Sequence, residues 1–269
     1  MSTANSLTLT IVLVTGMFVG GCTKRDESVR VQYATPNGEK TSEVKDLKEG
    51  PVAYQVSGGQ RVPPRADQLH RAARAKGESG DYAAALTLLR QASEIAPVWP
   101  YPYYDMAFTY LLQGDMTNAL LKYREVDRLE PKGFFTAKTA LWTLEREDKG
   151  VFPKGTYLAY VSLEWSEPDK KRDLIERMIT NVPVFAPAWK ERALLVKATD
   201  QRLAFIEKAL SLDPDPETYG ICILNKAALL NSSGKATEAK QMVEELARSD
   251  SSTLGTKALA KETLKAFTK

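Results

Sequence analysis

The feature that most constrains this chain is an internal repeat: residues 66–99 and 100–133 align position by position over 34 residues. Gly80 matches Gly114, Ala85 matches Ala119, Leu86 matches Leu120, Arg90 matches Arg124 and Pro97 matches Pro131. In each copy two runs with helical spacing of apolar residues flank a Gly-Asp pair, and a proline follows the second run. Glycine takes the positive φ that a tight turn needs, and aspartate caps the helix that starts after it. Each copy therefore predicts a helix–turn–helix, with turns at Gly80-Asp81 and Gly114-Asp115. One such pair cannot bury its apolar stripe alone, so neighbouring pairs must stack.

The second copy carries Tyr103, Ala107, Tyr110, Ala119, Tyr123 and Pro131. The first carries Leu69, Ala73, Lys76, Ala85, Leu89 and Pro97, and departs from the second at Lys76. A large, a small and an aromatic residue in the first helix, then a small and an aromatic residue and a closing proline in the second, resembles the tetratricopeptide repeat (TPR) family. The resemblance implies an all-α solenoid of helix–turn–helix units. Ala73 and Ala107 would let the two helices of a pair approach, and Ala85 and Ala119 would do the same against the following helix.

The pattern continues less regularly along residues 66–269. Pro187–Ala193 has the spacing of a first helix, and Thr199–Leu212 reads as its partner, with Ile206 and Ala209 in register and a turn about three residues short. Glu217–Asn231, Gly234 and Lys235–Ser249 repeat the unit, so repeats are expected over 186–250, and Leu254–Phe267 reads as a capping helix. Between them, residues 134–183 lose the register. Phe134–Glu147, Gly155–Trp165 and Asp169–Val182 read as helices around a polar break at Asp148–Lys154.

The N-terminal stretch has a different character. Leu7–Val19 is apolar, uncharged and too short to span about 30 Å of hydrocarbon, which suits the core of a signal peptide. It runs into Val19-Gly20-Gly21-Cys22, which resembles the lipobox of bacterial lipoproteins, although Met1–Ser6 contains no Lys or Arg. The resemblance implies a signal peptide over 1–21, a lipidated Cys22 and an N-terminal membrane anchor. Thr23 after the cysteine, by the same resemblance, implies the outer membrane with the folded part facing the periplasm. Residues 22–65 read as a flexible tether, with strand-like alternation at Ser28–Tyr33 and Val52–Val56 that allows a local hairpin. A coil of this length would reach about 35 Å.

Charge and composition narrow the function. The net charge of +3, from 37 basic and 34 acidic residues, is too even for a nucleic-acid groove, so no nucleic-acid partner is expected. A single histidine, His70, removes most zinc sites and histidine-dependent catalysis. Phosphate-binding and dinucleotide motifs are absent from the sequence, so no cofactor, metal or enzymatic activity is expected. The carboxylate pairs Glu164/Glu167 and Asp213/Asp215 and the run Asp169–Asp173 read as solvated helix surfaces or caps. Cys222 lies in an apolar run and reads as a buried small hydrophobe.

The TPR resemblance implies a protein or peptide partner along the concave face lined by the first helix of each pair. On that face it places Tyr101, Tyr104 and Phe108 from the second copy and His70 and Arg74 from the first. Phe134, Phe135 and Trp142 have a similar claim. The competing reading is that these aromatics pack on adjacent helices. The expected role is a membrane-anchored scaffold in the cell envelope. The alternatives are an assembly lipoprotein of a pilus or secretion apparatus, and a tethered cell-wall enzyme with a carboxylate cleft within 134–183.

Overall fold

The computed structural model describes residues 62–267, together with backbone strand pairing at four N-terminal segments. Cys22 and its lipobox lie outside the described residues. The strands are β1 (Leu9–Ile11), β2 (Arg30–Ala34), β3 (Lys40–Thr41) and β4 (Gly50–Ser57). β2 runs antiparallel to β4, with Tyr33 opposite Tyr54, and antiparallel to β3, while β1 lies parallel to β4. Within the described residues, β2 and β4 overlap the alternating stretches expected around Tyr33 and Val52–Val56, and the pairing goes beyond the single hairpin expected.

The remainder is all-α. The chain divides into two compact units, one holding Gly59–Val161 and the other Ser162–Lys269. The first contains α1 (Pro64–Glu78), α2 (Tyr82–Ile95), α3 (Pro100–Leu112), α4 (Met116–Leu129), α5 (Ala137–Asp148) and α6 (Thr156–Val161). α1 packs on α2, and α3 on α4, as the repeat requires. Gly80 and Gly114 sit at φ 81° and 77°. The Asp81 carboxylate accepts from Ala84 N at 3.2 Å, and Asp115 from Asn118 N at 3.0 Å. These bonds satisfy amides that a helix start leaves without intrahelical partners. They also hold both aspartates below the ordinary carboxylate range, with the backbone amide as the main cause in each.

The small residues do what their positions demand. Ala73, Ala85, Ala107 and Ala119 are buried at the helix seams, and Leu89 and Tyr123 fill the space beside them. Lys76, the departure in the first copy, stays exposed and reaches Asp81 at 3.2 Å.

The first difference from expectation comes at the next helix. α5 begins at Ala137 rather than Phe134, because Gly133 and Phe135 both turn left-handed, at φ 97° and 47°. A left-handed phenylalanine is uncommon and costs about 1–2 kcal/mol. The predicted helix over 155–165 is split into the short α6 and a 3-10 turn, Ser162–Trp165.

The second unit contains α7 (Pro168–Asn181), α8 (Ala186–Leu195), α9 (Thr199–Leu210), α10 (Pro216–Ser232), α11 (Ala236–Arg248) and α12 (Leu254–Phe267). α8 pairs with α9 and α10 with α11, and α12 packs on α11 and α10. Its centre is the nearly all-round apolar α10, where Ile221, Leu224, Ala227 and Leu230 meet Val243, Leu246 and Leu259. Gly220 lets α12 approach closely, since a Cβ there would meet Thr256 Cγ2 at 2.3 Å. Cys222 is 1% exposed and free of any disulfide, and burial pushes its thiol up to about 12. It serves as a packing residue. No helix among the described residues is long and apolar enough to cross a membrane.

Candidate functional site

Three of the five expected partner-binding residues gather in one aromatic cluster of the first unit. His70 on α1 and Tyr101 on α3 meet edge-on at 5.8 Å, and His70 also meets Trp99 at 4.8 Å. Tyr101 in turn packs against Phe134 at 4.9 Å and Phe135 at 5.5 Å. Tyr104, one turn along α3, contacts the same two phenylalanines at 5.7 and 5.3 Å. Such edge-to-face contacts set the negative face of one ring against the positive rim of another. Phe108 packs on the α3–α6 core from the same helix, and Arg74 lies half-buried one turn beyond His70.

The cluster is fixed by polar contacts that repeat logic alone does not reveal. His70 Nε2 hydrogen-bonds Asp105 Oδ2 at 2.7 Å, which ties α1 to α3. The hydroxyls of Tyr104 and Thr136 share a hydrogen bond of 2.8 Å, and Thr136 also meets the Tyr157 hydroxyl at 3.3 Å. Thr136 thereby anchors the left-handed turn that displays Phe134 and Phe135. Tyr157 packs against Tyr123 beneath, at 6.0 Å. Burial drives the Tyr123 phenol well above its ordinary range, so it stays neutral.

His70 and Trp99 are buried, whereas Tyr101, Tyr104, Phe108, Phe134 and Phe135 are all half-buried. The aromatics thus do both things the sequence allowed: they pack on adjacent helices, and they leave part of their rings in solvent. Trp142 has a different place. It meets Phe152 at a tilt, with ring centres 5.2 Å apart, under the Arg146 guanidinium, 3.9 Å from its ring, and braces the break after α5.

That break is organised by Glu147. Its buried carboxylate accepts from Gly155 N at 2.8 Å and from Tyr157 N at 2.6 Å, so the end of α5 caps the start of α6. Burial raises its pKa, and the two amide bonds pull the other way. It therefore has a structural task. Glu164 and Glu167 are exposed. Among the described residues no three His, Cys, Asp or Glu side chains group as a metal site would need.

Asp105, Thr136 and Tyr157 join the cluster without having been expected there. Asp105 carried a faint signal, since position 105 lies beside the Tyr101–Tyr104 face of a helix. Thr136 and Tyr157 sit where the 34-residue register had already slipped.

No family model matches the chain, and no curated protein matches it. Solved structures give looser likenesses. MamA from Desulfovibrio magneticus RS-1 is 16% identical, covering 69% of this chain and 94% of its own, with a TM-score of 0.33. A thermophilic TPR protein of Thermus thermophilus is 20% identical, covering 74% and 99%, with a TM-score of 0.31. The TPR2AB domain of yeast Sti1, in complex with pHSP90, is 16% identical, covering 77% and 86%, with a TM-score of 0.33. Superpositions this loose carry no argument about individual residues, and the paired-helix architecture rests on the turns, caps and seams described above.

Proposed function

We propose that this chain is a binding scaffold which takes a protein or peptide segment on the aromatic face of α1, α3 and the 133–136 turn. The observation that carries the proposal is that Tyr101, Tyr104, Phe134 and Phe135 are held rigidly by ring contacts and hydroxyl bonds, yet remain half-exposed. Tyrosines fixed in this way give contact area and a polar handle at little entropic cost. A photo-crosslinking residue at Tyr101 should trap a partner in cells, whereas one at the exposed Leu121 should not. Equal trapping at both positions would remove the proposal.

The scaffold is further proposed to be lipid-anchored through Cys22 in the cell envelope, at the outer membrane and facing the periplasm. Support comes from the lipobox-like Val19–Cys22 sequence. Stable anchoring takes more than one acyl chain, which lipoprotein maturation would supply. The intact protein should label with palmitate and partition into detergent, and Cys22→Ser should do neither. Unchanged partitioning of that variant would refute the anchor.

A further inference from the structure

The aromatic face continues along α3 beyond the ring cluster. Tyr101, Tyr104, Phe108 and Leu112 fall within about a quarter of the helix circumference, so they form one stripe. The first three are half-buried, and the last, Leu112, is 38% exposed. From Tyr101 to Leu112 the stripe climbs about 16 Å. Phe134 and Phe135 border it on one side, touching both Tyr101 and Tyr104. On the other side lies α1, whose His70 reaches Tyr101 and Asp105.

Polar groups bordering this stripe are spent within the fold. His70 and Asp105 share one hydrogen bond, Tyr104 and Thr136 share another, and the Thr109 hydroxyl donates to the Asp105 carbonyl at 2.7 Å. An extended peptide lying here would bring its own amides and carbonyls onto an apolar strip, and each one left without a partner costs free energy. A helix keeps its backbone hydrogen bonds within itself and presents only side chains. The stripe, at i, i+3, i+7 and i+11, is a ridge beside which a second helix packs. Charge adds a further constraint. Asp105 is tied to His70, Asp67 to Arg71 and Lys138 to Asp127. Arg74, one turn beyond His70 and the counterpart of Phe108 in the preceding repeat, is half-buried and has no ion-pair partner among the described residues. The charge left uncommitted beside the stripe is therefore positive.

We infer that the partner segment is an amphipathic α-helix, laid along α3 with its apolar side chains on the stripe and an acidic side chain facing Arg74. This rests on the aromatic face being the binding face. An extended segment and a second copy of this chain are the other occupants, and each leaves a different mark.

The test places a photo-crosslinking residue in the full chain at Tyr101 and, separately, at Leu112, and maps the trapped residues on the partner by mass spectrometry. Leu112 is exposed, so replacing it leaves the core intact. On a helix the two trapped residues should lie about 11 apart, whereas an extended chain would cover the same distance in about five. Arg74→Glu should cut capture at Leu112 roughly threefold, the scale of a part-exposed ion pair, and Arg74→Lys should retain most of it. A spacing near five would overturn the helix and leave the binding face standing. Trapped residues that belong to this chain would overturn the separate partner in favour of a second copy. Capture unchanged in Arg74→Glu would overturn the acidic contact. No capture at either position would remove the helix together with the binding face itself.

Discussion

The turn between α3 and α4 and the break between α5 and α6 solve one problem in two ways. Each must leave one helix and satisfy the free amides of the next. At 114–115 the solution is local: Gly114 reverses the chain and Asp115 caps the amide three residues on. At 148–155 the turn contains Gly150 at φ 69°, but the capping carboxylate comes from Glu147, reaching forward 8 and 10 residues. A local cap is half-exposed and replaceable by water. The distant cap is buried, so removing it strands the buried Tyr157 amide where water does not reach and leaves the half-buried Gly155 amide without its acceptor.

The largest effect should therefore come from Glu147→Ala. Leaving the Gly155 and Tyr157 amides without an acceptor should cost about 2–3 kcal/mol, measured as a fall in urea stability. Because Tyr157 underlies Thr136, the same variant should speed amide exchange in the 133–136 turn. A loss no larger than that of Asp115→Ala would break the comparison. Ionisation adds a second handle. Burial raises the Glu147 pKa above its ordinary 4.5, so the folded state holds more protons than the unfolded one just above that pH. Stability should then fall as pH rises from about 4.5 through the raised value. Glu147→Gln should flatten that slope, while keeping one acceptor oxygen and thus part of the cap.

Asp115→Ala should cost less, about 1 kcal/mol, since solvent can replace the lost cap. Its pH dependence has the opposite sign. The Asn118 amide lowers the Asp115 pKa, so its contribution is complete above about pH 4 and is lost as pH falls below that. Denaturant titrations at pH 3 and pH 7 should show the variant closer to the parent protein at the lower pH. A constant gap would mean that the carboxylate does not act as an ionised cap.

These two regions also mark what the sequence made legible. Gly80-Asp81 and Gly114-Asp115 combine turn, cap and period within two residues, and the helices fall where that signal places them. Leu254–Phe267 coincides with α12 because apolar periodicity alone bounds it. The resemblance to tetratricopeptide repeats put His70, Tyr101 and Tyr104 on one face, whereas Asp105 as the partner of His70 depended on side-chain reach between α1 and α3. Glu147 was illegible as a cap because its targets lie across a loop and no short motif encodes that reach. Phe135 gave no warning either, since bulky residues seldom turn left-handed.

The smallest effect is a gain, and it turns the comparison into a design. The α10–α11 turn has Gly234 at φ 82°, like its counterparts, but Lys235 stands where Asp81 and Asp115 stand and caps nothing. Its backbone, at φ −96° and ψ 47°, lies near that of Asp81 at −81° and 67°. Lys235→Asp should therefore place a carboxylate within reach of the Glu238 amide and replace an unfavourable charge at a positive helix end. The stabilisation should be about 0.5–1 kcal/mol, reduced by the nearby Glu238 side chain and by salt. A midpoint that rises at low ionic strength, and rises less at high, would show that the cap in the first two pairs is a transferable part. A midpoint that stays still would mean that those aspartates depend on a context which the α10–α11 turn does not share.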